Sequence, residues 1–239
     1  MGSTAPRCWW VENNTMKKNT LRGVLITLGI CAAEFCVAAF YLFPRSRNGE
    51  LLSVSHASEN LPGIFIQSLI SFLIPAVLLI LFALYLKQEF ASGLYLTLRG
   101  KWQRITAGVL FAAALGLTAY CLIVKEDRVT ILFSLLYYFV FIAFAEEFVC
   151  RDVCTYFLRD ASWPIRYLIP NICFAVLHVF AYANWSEITG AYLLRFFSAD
   201  MLGLVTMGCC FQLLKEKSGT IWLPVLLHGL LDFTVVLKY

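Results

Sequence analysis

Apolar residues along this chain fall in long, nearly uninterrupted blocks, without the narrow 3.6-residue stripes or strict alternation of water-soluble elements. Seven blocks stand out: Leu21–Phe43, Leu61–Leu86, Ile105–Val124, Val129–Phe157, Tyr167–Tyr182, Tyr192–Leu214 and Ile221–Val236. Most reach the roughly 20 residues that a helix needs to cross a hydrocarbon core. The pattern predicts an all-α membrane protein, a polytopic bundle of about seven transmembrane helices. Polar punctuation separates the blocks. "NGELLSVSHASENLPG" reads as a loop, and "RDASWP" offers Ser162 as a helix cap with Pro164 close behind. "NWSEITG" and "KEKSG" close the last two turns. No internal repeat or low-complexity tract interrupts the series.

Composition agrees with the pattern. The 239 residues are 60% hydrophobic and 14% charged, with mean hydropathy +0.75, whereas a soluble domain carries about a quarter charged residues. The net charge of +4 reports topology rather than nucleic-acid binding. Lys and Arg gather on the side holding the N-terminal tail, the second loop, "RDASWPIR" and "KEKSG". The positive-inside rule then places the N-terminus in the cytoplasm and the C-terminus outside. A basic lead, "MKKNTLRG", runs directly into the first block as a signal anchor, with Met1 and Met16 both available as starts. This basic start and the short loops have a bacterial character, which points to the inner (plasma) membrane. The nine cysteines form no CxxC pair or zinc-like array, so they read as packing residues with no disulfide framework. The expected organisation is a cytoplasmic tail (1–20), about three N-terminal helices (21–128) and a C-terminal core of about four (129–239).

The chemistry lies in the polar residues left inside the blocks: Glu34, Glu146, Glu147, Arg151, Asp152, His178, Asp200, His228 and Asp232. Ionisable groups in a membrane are expensive and mark functional sites. Depth makes the set more pointed. At 1.5 Å per residue, Glu146 lies ~18 Å from the cytoplasmic face, His178 ~17 Å and His228 ~14 Å, with Asp232 one turn further. Three helices therefore bring polar side chains to one layer. Glu147 and Arg151 have the i,i+4 spacing of an ion pair, and Glu146 is turned about 100° from Glu147, towards a different neighbour. His228 and Asp232 share one helix face. A carboxylate and an imidazole meeting at that depth are suited to general-base hydrolysis, and a second imidazole to hydrogen bonding a developing oxyanion. Glu34 and Asp200, isolated on their helices, read as satisfied structural groups, and His56 as an ordinary loop residue.

These residues also make a family pattern. "EEFVCR" (Glu146–Arg151) resembles EExxxR, "FAVLH" (Phe174–His178) resembles FxxxH, and "HGLLD" (His228–Asp232) resembles HxxxN/D. The stretch "KSGTIWLPVLLHGLLD" resembles the family segment in which a Ser-Gly or Thr-Gly turn and Trp-x-Pro precede the histidine. The three motifs, in order and on separate helices, resemble the CPBP family. This group joins the type II CAAX prenyl endopeptidases with bacteriocin-processing and abortive-infection-type intramembrane proteases. The resemblance runs from about Val129 to Val236. It implies a helical bundle with a polar cavity open to one face, in which Glu146 activates water with the help of His178. His228 and Asp232 would stabilise the oxyanion, and Glu147 and Arg151 would shape the site. Its implied partners are a peptide or membrane-anchored protein substrate and the bilayer, without nucleic acid.

Asp232 stands where many members carry Asn. An ionised Asp cannot donate to an oxyanion unless it is protonated or paired with His228. Glu146, His178, His228 and Asp232 are also a plausible donor set for one divalent metal such as zinc; the cofactor is therefore none or one metal ion, and the residues lean slightly to metal-free chemistry. The leading expectation is an intramembrane endopeptidase acting on a lipidated, membrane-anchored or precursor-peptide substrate. Two rivals are a non-catalytic peptide-binding immunity or scaffold protein and a small ion transporter, the latter disfavoured by the lack of a repeat pair.

Overall fold

The computed structural model describes residues 9–87, 95–180 and 188–238. Residues 184–187 of the expected "NWSEITG" turn, the end of the fifth block at Tyr182, and residues 1–8 of the tail lie outside them. Every regular element among the described residues is helical. In chain order these are α1 (Lys18–Arg47), α2 (Leu61–Ser71), α3 (Leu73–Leu86), α4 (Lys101–Val124), α5 (Arg128–Phe157), α6 (Trp163–Leu177), α7 (Gly190–Ser218) and α8 (Trp222–Phe233).

Four of them, α1, α4, α5 and α7, are long and apolar enough to cross a membrane, and α2 with α3 makes a fifth if the pair is one broken span. Exposed apolar side chains such as Phe40, Leu84, Ile123 and Leu194 give these helices greasy outer faces. The expected count of about seven crossing helices does not follow from the lengths. The fifth and seventh blocks are helices, but α6 has 15 residues and α8 has 12. The second block, read from sequence as one span, is bent by 52° between α2 and α3. Pro75 is the physical cause: it lacks an N–H, and its ring opposes the carbonyl of Ser71, so the helix breaks at Phe72.

α5 is the axis of the bundle. It packs against α2, α3, α4, α7 and α8, and its last turn packs against α1 and α6. Every residue from Glu147 to Thr155 is buried, as expected for a helix enclosed on all sides. Its backbone widens into i→i+5 turns at Tyr137–Phe144 and Glu147–Val153, a distortion that recurs near functional sites. α8 reaches α5 closely because residue 229 is glycine; a Cβ there would run into the Phe139 ring. α7 ends at Gly219 in the left-handed region, φ +68°, which is the ordinary helix stop. At Ser162 the backbone is extended and a proline follows in the first turn of α6, but the serine side chain makes no capping hydrogen bond.

Candidate active site

The two adjacent glutamates of α5 point to different surroundings. Glu146 keeps 25% of its side chain exposed and lines a cavity of about 740 Å³, together with His178, His228 and Asp232. Glu147 and Arg151 are completely buried beside it. The depth argument made from sequence therefore brings together the four residues it singled out.

Glu146 sits between two imidazoles. His178 Nε2 is 3.7 Å from its Oε1, and His228 Nε2 is 3.7 Å from its Oε2. His178 is the residue at which α6 ends, and its Nδ1 lies 2.9 Å from the carbonyl oxygen of Phe174. A carbonyl only accepts, so Nδ1 carries the hydrogen and the Nε2 of a neutral ring presents its lone pair towards Glu146. The ring also packs on Phe174, with centroids 4.4 Å apart.

His228 is held on both sides. Its Nδ1 donates to Glu147 Oε1 at 2.9 Å, and its ring stacks on Phe211 with centroids 5.1 Å apart. Its Nε2 lies 3.3 Å from Asp232 Oδ2, one helical turn on. With Nδ1–H committed to Glu147, that second approach requires a proton on either Nε2 or Oδ2. The His228–Asp232 pair thus holds a proton at the cavity wall, whichever atom carries it. This pairing is the condition the sequence set for an aspartate at position 232.

The support behind these groups is only partly readable from sequence. The expected Glu147–Arg151 pair is present, with Nη1 3.5 Å from Oε1. Glu147's contact with His228 was missed, because nothing in linear spacing says that α8 packs on that face of α5. Arg151 lies over the Phe174 ring, its guanidinium carbon 4.1 Å from the centroid. Beside it, Asn171 donates to the Tyr167 carbonyl at 2.7 Å and to Gln212 Oε1 at 3.0 Å. Gly208 on α7 leaves room for both side chains: a Cβ there would strike Asn171 Oδ1 and Arg151 Nη2.

Other intramembrane polar residues sit elsewhere. Asp152 Oδ1 pairs with Lys215 Nζ at 2.5 Å, both nearly fully buried, and the same ammonium donates to the Arg151 carbonyl at 2.5 Å. Asp200 faces Arg195 at 3.4 Å, and Glu34 is half-buried on α1. His56 is exposed and pairs with Glu59 at 3.0 Å. All cysteines among the described residues are free thiols. No group of three or more His, Cys, Asp and Glu among the described residues is arranged to hold a metal ion. As placed, Glu146, His178, His228 and Asp232 do not form a coordination sphere.

Comparison with known proteins bears on this arrangement. Residues 128–234 match the family described as type II CAAX prenyl endopeptidase Rce1-like. The match contains α5, α6, α7 and α8, and so all six residues of the site. No curated protein and no solved structure matches the chain.

Proposed function

We propose, from the match of residues 128–234 to the Rce1-like type II CAAX prenyl endopeptidases, a protease family, that the chain is an intramembrane endopeptidase using a Glu/His-activated water. The observation that carries the reading is Glu146, partly exposed in the cavity between the Nε2 atoms of His178 and His228.

In this reading Glu146 takes a proton from water as the oxygen attacks the scissile carbonyl. His178 Nε2 accepts from the same water and orients it. The proton shared by His228 and Asp232 hydrogen-bonds the oxyanion and stays with the pair, in place of the amide hydrogen that Asn would supply. Collapse breaks the C–N bond, and Glu146 returns its proton to the departing amine. Glu147 fixes the His228 ring, and Arg151 balances the Glu147 charge. Removing such a base typically lowers rates by ~10²–10⁴-fold. The substrate is a lipidated, membrane-anchored or precursor peptide cut near the membrane surface. Residues 129–239 make the catalytic core, the helices of 21–128 add the remaining cavity wall, and the N-terminus lies in the cytoplasm.

The test compares peptide termini in the membrane and secreted fractions of native-host strains that are wild type, deleted, or Glu146→Gln. A terminus lost in both mutants identifies the protease and its substrate together. A deletion phenotype that Glu146→Gln fully rescues would refute the mechanism and favour a binding protein.

A further inference from the structure

At the opposite end of the bundle from the catalytic cavity, a second pocket of about 180 Å³ lies where three helices meet. Asn19 and Arg22 of α1, Tyr85 of α3, and Arg159 and Asp160 just beyond α5 line it. The floor is the contact of α1 with the end of α5. A Cβ on Gly23 would collide with the Phe157 carbonyl, so glycine lets the two backbones approach there.

The level of this pocket is set by the spans themselves. The apolar block of α1 begins at Leu21, α3 ends at Leu86, and α5 ends at Phe157. The pocket therefore lies at the boundary between hydrocarbon and headgroups. Tyr85 is 73% exposed there, as aromatic belts are. Further along the same two helices, Leu25 of α1 and Leu84 of α3 are 60% and 69% exposed, apolar surface available to an acyl chain.

The charge is unbalanced. Among the described residues, neither Arg22 nor Arg159 has a carboxylate at ion-pair distance. Arg159 is steadied by an aromatic face instead, its guanidinium carbon 4.6 Å from the Tyr156 centroid. Asp160 supplies one opposing charge, and its Oδ2 accepts from Asn19 Nδ2 at 3.4 Å. Among the described lining residues, two guanidiniums stand against one carboxylate, a net positive charge. Guanidinium forks match phosphate oxygens, and basic pockets between membrane helices bind anionic headgroups.

We infer that this pocket binds the phosphodiester of an anionic membrane lipid, with an acyl chain laid along Leu25 and Leu84. Bound there, the lipid ties α1 to the end of α5, 11 residues or ~17 Å from Glu146.

The experiment follows thermal unfolding of the full-length protein in neutral detergent. Phosphatidylglycerol, phosphatidylcholine and sodium phosphate are titrated separately. The expected result is a rise in Tm with phosphatidylglycerol and none with the other two. Arg22→Gln with Arg159→Gln should weaken the phosphatidylglycerol response roughly 30-fold, from the usual contribution of two basic residues at an anionic surface. Asp160→Asn, which retains both arginines, should strengthen it several-fold, and it serves alone if the double variant does not fold. An equal response to sodium phosphate would make this a free-anion site and overturn the lipid assignment. No response to phosphatidylglycerol, or a response unchanged in both variants, would overturn the pocket altogether.

Discussion

Replacing Glu147 by Gln removes one negative charge from the fully buried point that joins Arg151 to His228, at nearly constant volume. Two contacts change at once. Arg151 loses its carboxylate at 3.5 Å, and His228 Nδ1 loses the anionic acceptor at 2.9 Å that fixes which nitrogen carries hydrogen. Removing one partner of a buried ion pair costs about 3–5 kcal/mol when the other charge stays buried. Arg151 cannot escape to solvent, because Phe174, Asn171 and Gly208 surround it, so the upper part of that range applies. Catalysis suffers separately. An amide at position 147 presents either an acceptor or a donor to His228 and no longer selects the ring state that leaves a proton facing the cavity. The expected loss is about 10²–10³-fold in kcat, the size of one oxyanion donor, with KM changed little. The assay is cleavage of the native substrate by protein reconstituted in liposomes, read beside a thermal melt. A Glu147→Gln protein with wild-type kcat and unshifted Tm would show that the Glu147–His228 contact orients nothing.

Other perturbations test the surrounding construction. Gly208→Ala forces a methyl against Asn171 and Arg151, and overpacking of this kind costs about 1–3 kcal/mol; a Tm equal to wild type would mean that Arg151 is not seated as described. Lys215→Met leaves Asp152 buried without its partner and should destabilise by about 3–5 kcal/mol, whereas the double replacement with Asp152→Leu should recover most of the loss; unequal recovery is read in the same melts. Asp127, at the loop end of α5, accepts from Ser58 at 2.5 Å and from the Thr130 hydroxyl at 2.6 Å and amide at 3.0 Å. Slight burial works against its charge, but these hydrogen bonds outweigh it and hold the carboxyl below its ordinary value. A lowered carboxyl stabilises the fold above the unfolded-state value near 4 and loses that contribution as pH falls through the lowered one. The stability gap between wild type and Asp127→Asn should therefore close on acidification; a gap constant from pH 7 to pH 2 contradicts the assignment. Because every step proposed uses side chains of the chain itself, cleavage should survive dialysis against a strong chelator, and loss restored by zinc alone would overturn that route.

How much of this was legible in advance differs between elements. The long apolar blocks became helices because lipid-facing surface is uniform, and uniform hydrophobicity can be read without knowing the neighbours. The same uniformity hid where the chain bends: Pro75 was visible in the sequence, yet only the break at Phe72 shows that the second block is two helices. At α6 and α8 the apolar blocks run on past the α-helical ends at Leu177 and Phe233, into the tighter 3-10 turns of His178–Phe180 and Thr234–Lys238. In the site, Glu146, His178 and His228 could be brought together from depth alone, since helix rise fixes height. Direction around a helix is harder to read. That Glu147 faces α8, and that Arg151 lies on Phe174 and beside Gly208, depends on how four helices pack. The Lys215–Asp152 pair was missed for a related reason: Lys215 falls just past the sixth block and reads as part of a loop, although its side chain reaches back into the core.

The central claim is that the Glu146 carboxylate removes the proton from the attacking water. Its most direct test is the single-turnover cleavage rate of purified, reconstituted Glu146→Gln with the substrate identified from peptide termini, measured beside substrate affinity. The account predicts a rate at least about 10²-fold lower with affinity retained. A glutamine variant that cuts at the wild-type rate would contradict it.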